Sequence, residues 1–212
     1  MRDVYHEELN SIGNTLVEMT GLVGRAMTRA TKALLEADLQ TAESVISADD
    51  AVDALQRELD LRALDLLALQ QPVAGDLRTI ITSLRMSADL ERMGDLARHV
   101  AKVARLRYPQ IAIPEDLRPT VSQMGEIAGD LAAKTGEIVK GRDVESAREL
   151  PEDDDAMDEL HRALFAALLD KKSEYSVETA VDVTLVSRYY ERFADHAVSV
   201  SRRLIFLVTG ED

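Results

Sequence analysis

Asp49-Asp50-Ala51-Val52-Asp53-Ala54-Leu55-Gln56-Arg57-Glu58-Leu59-Asp60 returns later in the chain as Asp154-Asp155-Ala156-Met157-Asp158-Glu159-Leu160-His161-Arg162-Ala163-Leu164-Phe165, with seven of twelve positions identical. The offset is 105 residues, and it also pairs Met19 with Met124, Gly24 with Gly129, Asp38 with Asp143 and Ala42 with Ala147. Further along the offset becomes 100, where Glu91, Arg92, Asp95, Ala97 and Val100 recur as Glu191, Arg192, Asp195, Ala197 and Val200. The change of five residues falls at Gln70-Gln71-Pro72, a loop signal, and loops absorb such differences. Self-similarity at fixed spacing marks a duplicated unit.

Each unit reads as three helices. Of the five prolines, Pro72 stands alone, Pro109, Pro114 and Pro119 cluster, and Pro151 is isolated, so residues 1–71 and 152–212 contain none. Proline is excluded from helix interiors by its missing N–H and its clash with the preceding turn. No Asn-Gly or Asp-Gly pair offers a tight hairpin. The Ala-, Leu-, Glu- and Arg-rich stretches between breaks predict helices over Val4–Ala37, Leu39–Leu69, Asp76–Arg107, Glu115–Lys140, Asp143–Lys172 and Val177–Val208. Ala51, Leu55, Leu59, Leu66 and Leu69 give the second an apolar face, and Ile80, Leu84, Met93, Val100 and Val103 the third. The window Val181-Asp182-Val183-Thr184-Leu185 alternates like a strand, but no second strand is nearby, so it too reads as helix. Pro151 is expected to kink the fifth helix or restart it near Glu152, placing Glu152-Asp153-Asp154-Asp155 at a new N-terminus where the dipole favours negative charge. The expected fold is all-α: two tandem, similar three-helix bundles, residues 1–108 and 120–212, joined by a Pro-containing linker at 109–119.

Composition narrows the function. The 212 residues hold 25 Lys and Arg against 39 Asp and Glu, a net charge of −14. Phosphate backbones repel such a chain, and only 4% of residues are aromatic with no Trp, so nucleic acid is disfavoured as a partner. The absence of Cys excludes disulfides, thiolate metal sites and a Cys nucleophile. Hydrophobic residues, at 46%, suffice for a packed interior. No run of the length and apolarity of a membrane span or a signal peptide is present, and a cytoplasmic protein is expected.

Four carboxylate pairs share one spacing: Asp49/Asp53, Glu91/Asp95, Asp154/Asp158 and Glu191/Asp195. At i and i+4 on a helix, both side chains point the same way and repel one another mildly. A hard cation reverses that sign, because it takes several oxygen ligands, and two helices each giving a pair supply four. Chance alone gives about seven such pairs at this acidity, so a lone pair means nothing. Recurrence of two distinct pairs at the repeat offsets is what lifts them above a solvated face. Arg92 and Arg192 sit three residues before Asp95 and Asp195, suited to local ion pairs. Gly94 lies between Glu91 and Asp95, and its copy is Ala194, so the position wants a small side chain. His99 and His161 follow Asp95 and Asp158 at helical spacing but are not duplicated, and they read as surface or interface residues, while His196 adjoins Asp195 but points about 100° away around the helix. No phosphate-cradling Gly-rich loop, nucleophile elbow or His-Glu-x-x-His is present, so catalysis has no support beyond the carboxylates. The enzyme alternative is a carboxylate-bridged dimetal helical bundle, which ordinarily needs two Glu-x-x-His motifs, absent here.

The run Pro72-Val73-Ala74-Gly75-Asp76-Leu77-Arg78, with Asp89-Leu90-Glu91-Arg92-Met93-Gly94-Asp95 and Tyr190-Glu191-Arg192-Phe193-Ala194-Asp195-His196, resembles the PhoU family of bacterial phosphate-signalling proteins. The resemblance spans the whole chain, duplication included. It implies a non-enzymatic adaptor that relays phosphate sufficiency and represses the phosphate-starvation response. Implied partners are the ATPase subunit of the phosphate ABC transporter and a sensor histidine kinase, with the membrane met only through them, and a homodimer. It implies metal ions (iron, zinc, manganese or magnesium) on Asp49, Asp53, Glu91, Asp95, Asp154, Asp158, Glu191 and Asp195. The family often carries His after the Asp of the third-helix motif; the second copy has His196, the first Leu96.

Overall fold

The computed structural model describes residues 2–170 and 174–211. Among them lie six helices: α1 (Arg2–Glu36), α2 (Leu39–Gln70), α3 (Gly75–Arg107), α4 (Arg118–Gly141), α5 (Val144–Leu169) and α6 (Val177–Thr209). The duplication reaches the caps. Asp38 accepts hydrogen bonds from the Thr41 backbone N–H at 3.0 Å and its hydroxyl at 2.6 Å to start α2. Its copy Asp143 accepts from the Ser146 N–H at 3.1 Å and hydroxyl at 2.7 Å to start α5. Each satisfies an N–H that the first helical turn leaves without a partner. Gly210, at φ 79°, closes α6 in the left-handed conformation that glycine adopts without strain. None of the described helices is long and apolar enough to cross a membrane.

Three expectations need correction. The buried face of α2 is Ala42, Val45, Asp49, Val52, Leu59, Ala63 and Leu66, whereas Ala51 and Leu69 are exposed. Reading only the apolar letters misplaced the stripe, because one of its members is a carboxylate. Pro151 does not restart α5, which runs unbroken from Val144 to Leu169, so the acidic run Glu152–Asp155 lies inside a helix. The N-terminal dipole therefore does not explain it. Helix α4 starts at Arg118 with Pro119 in its first turn, because the chain before it makes turns whose Ala112, Ile113 and Leu117 are buried. The expected end of the fifth helix, Lys172, lies outside the described residues.

Helix α2 packs on α1 and α3, and α5 on α4 and α6, giving the two three-helix bundles. The bundles join side by side, α1 against α4 and α3 against α6, over one continuous apolar core. Tyr190, Phe193, Met19, Met27 and Leu90 are among its fully buried members, each contributing about 2 kcal/mol of transfer free energy. The seam obeys the internal repeat. A methyl group placed on Gly125 would sit 2.5 Å from Thr31 Cγ2, and one on Gly136 would sit 2.8 Å from Thr20 Oγ1. The 105-residue offset turns Thr20 into Gly125 and Thr31 into Gly136, so the two contacts exchange. Likewise Ser199 bonds Asp89 at 3.1 Å while His99 stacks on Tyr189 at 5.2 Å, and the offset of 100 exchanges those pairs. The halves are thus related by an approximate two-fold axis, with α1 antiparallel to α4 and α3 antiparallel to α6.

Candidate metal centre

The acidic pairs lie on the flanks of this core. In the first bundle, α2 presents Asp49 and Asp53 toward Glu91 and Asp95 of α3; in the second, α5 presents Asp154 and Asp158 toward Glu191 and Asp195 of α6. All eight expected carboxylates are therefore brought together as two sets of four. Because α2 and α5 do not touch, the sets form separate surface centres rather than one interior one. The arrangement lacks the convergence that the dimetal-enzyme alternative requires.

Each set is electrostatically strained. Burial raises the Asp49 carboxyl above its ordinary pKa, Arg98 opposes the shift, and Asp53 and Asp95 add to it. Glu91 is raised by burial and then by Asp95. In the second set Asp154 is pushed up to about 6, by burial first and then by Asp158, Asp195 and Glu191. Glu191 is raised by burial and Asp195, with Arg188 opposing. Acids crowded and half-buried in this way favour any counter-cation, whether a proton, a guanidinium or a metal.

The two sets differ in what neutralises them. In the first, Arg98 reaches from α3 to place Nε 3.0 Å from Asp49 Oδ2 while Nη2 donates to Asp95 Oδ1. Arg92 Nη1 donates to Asp95 Oδ2 at 2.9 Å. A guanidinium thus already sits between the facing carboxylates. Asp49 is buried to 7% exposure, and Gly94 makes room for it: a Cβ there would meet Asp49 Oδ1 at 2.9 Å. The small residue seen in the sequence serves the carboxylate. The copy of Arg98 is Val198, so the second set has no such bridge. There Arg188 pairs with Glu191 and Arg162 approaches Asp158 at 3.6 Å, but Asp154 Oδ1 and Glu191 Oε2 are buried with no hydrogen-bond partner, and Asp195 is exposed. Orphaned carboxylate oxygens suit a hard cation, and the first set suits one only if Arg98 withdraws. Among the described residues, no three carboxylates or imidazoles are grouped closely enough to hold an ion as they stand.

The histidines sort themselves clearly. His196 turns away from Asp195, and its Nδ1 lies 3.0 Å from Asp89 Oδ1 across the α3/α6 seam. Burial opposes ionisation of Asp89, yet His196, Arg203 and Ser199 outweigh it and hold its pKa low. His196 therefore fastens the bundles and does not join the acidic set. His99 likewise lies in the seam, on Tyr189. His161 is the exception: its Nδ1 lies 2.5 Å from Ser187 Oγ, and its charge lowers the pKa of Glu191, so it stands beside the second set where the first has Gln56. Arg98 has no copy, Val198 standing in its place, and its signal in the sequence is its position three residues after Asp95. Ser187 recurs as Ser87, but only the tertiary contact with His161 marks it.

The strain sets a pH dependence. A protonated Asp154 adds stability that is fully present below its unfolded value of 3.8 and is lost as pH rises to about 6. The metal-free protein should therefore melt higher at pH 5 than at pH 7, by about 3 °C. Asp154→Asn should flatten that difference in a thermal melt, and an unchanged difference would mean the carboxyl is not strained.

Two stretches of the chain, residues 16–104 and 121–204, match the PhoU domain model. The chain is 52% identical over 210 residues to "Phosphate-specific transport system accessory protein PhoU homolog 2" of Mycobacterium tuberculosis, covering 99% of both chains. It is 50% identical to PhoU homolog 1 of Mycobacterium leprae, covering 99% of this chain and 95% of that one. The fold superposes on the crystal structure of the phosphate transport system regulatory protein PhoU from Streptococcus pneumoniae with a TM-score of 0.88, at 27% identity and 98% coverage of each chain. PhoU from Pseudomonas aeruginosa gives 0.85 at 26% identity, over 98% of this chain and 100% of that one. With relatives running end to end and both halves matching one domain, the chain belongs to the PhoU family.

Proposed function

We propose that this protein is an accessory regulator of phosphate transport, a negative regulator of the phosphate-starvation response that acts by binding other proteins. The observation carrying this is the end-to-end identity of 52% with proteins named for that accessory role. Its partners are the ATPase subunit of the phosphate ABC transporter and a sensor histidine kinase, met in the cytoplasm by a homodimer. An adaptor shifts a partner only by favouring one of its states, since equal affinity for both shifts nothing. With a charge of −14, it is suited to basic partner surfaces and to salt-sensitive association. Crosslinked pull-downs from phosphate-replete cells should recover the transporter ATPase or the kinase; recovering neither would contradict the adaptor reading.

Metal ions belong to the same proposal. Asp154, Asp158, Glu191 and Asp195 would hold one in the second bundle, supported by the orphaned oxygens of Asp154 and Glu191. Asp49, Asp53, Glu91 and Asp95 would hold the other once Arg98 yields. Such an ion supplies charge neutralisation that stiffens α5 against α6 and α2 against α3. Carboxylates suit magnesium and manganese, and the nearby His161 extends the second set toward iron and zinc. Elemental analysis at saturating metal should show each of Glu91→Ala and Glu191→Ala losing about half the bound ions, and below saturation Glu191→Ala should lose the larger share. Complete loss from either one would instead indicate a single shared centre.

A further inference from the structure

The least expected feature of so acidic a chain is a patch of arginines with few acids among them. A cavity of about 370 Å³ opens on the α3/α6 seam, lined by Thr82 and Arg85 from α3 and by Ser199, Arg202, Arg203 and Phe206 from α6. Arg85 and Arg202 are exposed, and among the described residues neither has a carboxylate within ion-pair distance, although the chain carries 39 acids. Arg203 is anchored: its Nε donates to Asp89 Oδ2 at 2.6 Å, and the Ser199 hydroxyl donates to the same oxygen at 3.1 Å. Arg78 stands at the same end, 6.0 Å from the Phe206 ring centroid, and its buried Nε has no hydrogen-bond partner. Among the described residues, Glu211 at the rim and the already engaged Asp89 are the acids that face this group.

The internal two-fold shows that this is no by-product of helix packing. Moving Thr82, Arg85, Ser199, Arg202 and Arg203 by 100 residues gives Asp182, Leu185, His99, Lys102 and Val103. At that mirror end Arg107 is neutralised by Glu178 and by Asp182, whose Oδ1 accepts from Nη2 at 3.0 Å. At the mirror end Arg107 is engaged by carboxylates while Lys102 and Arg105 are not; what sets the cavity end apart is that Arg85, Arg202 and Arg203 line one cavity together with Ser199.

We infer that this cavity binds a phosphate group, free or carried on a small molecule, its phosphoryl oxygens taken by Arg85, Arg202 and the remaining N–H groups of Arg203. A guanidinium offers parallel N–H donors that match two oxygens of a phosphate, and two unpaired ones favour a dianion. Phe206 and Ile205 form an apolar wall for the body that carries the phosphoryl group. The volume lies at the small end of ligand sites. The inference rests on these arginines and goes beyond the accessory role.

The test uses the full-length protein stripped of metal with a chelator, so that no phosphate is held through an ion in the acidic sets. Calorimetric titrations at physiological salt take inorganic phosphate and ADP as probes, with sulfate as a control. At least one phosphate probe should bind saturably with one site per chain, more tightly than sulfate. The exposed pair R85A/R202A should weaken it at least ten-fold. The mirror-end pair K102A/R105A, which removes the same charge, should change it less than two-fold. Tighter binding of ADP identifies a phosphate ester as the ligand; equal binding identifies the free ion. No saturable binding of either probe up to about 10 mM, or equal losses in the two double variants, would overturn the inference. Circular dichroism of both variants should match the parent, and a loss of fold by R85A/R202A would move the comparison to R85K/R202K, which keeps the charge without the fork and should still weaken binding.

Discussion

Gly125→Ala should destabilise the protein by about 2 kcal/mol although it adds a better helix former. Alanine in place of glycine within a helix gains about 1 kcal/mol. Against that gain, the new methyl would lie 2.5 Å from Thr31 Cγ2, 2.7 Å from Oγ1 and 3.0 Å from Cβ. Thr31 cannot step aside, because its hydroxyl donates to the Met27 carbonyl at 2.9 Å and lies 2.6 Å from the Tyr190 hydroxyl. Tyr190 is itself fully buried, and burial raises its pKa, so it stays a neutral partner. Forcing an extra methyl into such a contact typically costs 1–3 kcal/mol, and a pinned neighbour puts the cost at or above the upper end of that range. Urea unfolding should show a lower midpoint with an unchanged slope. Pairing the change with Thr31→Ala should restore most of the loss, and additive losses would mean the seam does not close where these residues meet.

Arg98→Val, which copies the second repeat into the first, should reverse the order of the two metal sites. Removing the guanidinium leaves Asp49, buried to 7% exposure, facing Asp53 and Asp95 without a countercharge. Breaking a buried pair on one side costs about 3–5 kcal/mol, reduced here because Arg98 is itself 28% exposed. The metal-free variant should be less stable than the parent by about 2 kcal/mol. A divalent cation should recover that stability and bind the first set at least ten-fold more tightly, about 1.4 kcal/mol. Thermal melts with and without manganese measure both. A variant equally destabilised with and without metal would show that Arg98 is only a structural strut.

The fold was legible because its evidence is repeated. The matched stretches at Asp49 and Asp154 and the recurring Asp38 and Asp143 are local features, and a duplicated local feature announces itself in one chain. What escaped was set by tertiary contact. The stripe of α2 is rotated because Asp49 lies inside it, a placement made possible by Arg98 and Gly94 on another helix. Pro151 forfeits one backbone hydrogen bond, but flanking Ala147, Leu150 and Met157 are buried and hold the helix through it. The acidic sets were legible as pairs, but their inequality was not: Arg98 and His161 have no copies, so recurrence does not mark the residues that distinguish the halves, and the contacts that give them weight are tertiary. His196 likewise could not be placed from its neighbour Asp195, because its partner Asp89 lies on another helix of the other repeat.

Diffraction from manganese-soaked crystals, recorded near the metal absorption edge, bears most directly on the paired acidic centres. Anomalous peaks should fall between α5 and α6, against Asp154 and Glu191, with the α2/α3 peak weaker or appearing only at higher metal concentration. Peaks elsewhere, or none at full soaking, would contradict the assignment of these eight carboxylates to metal.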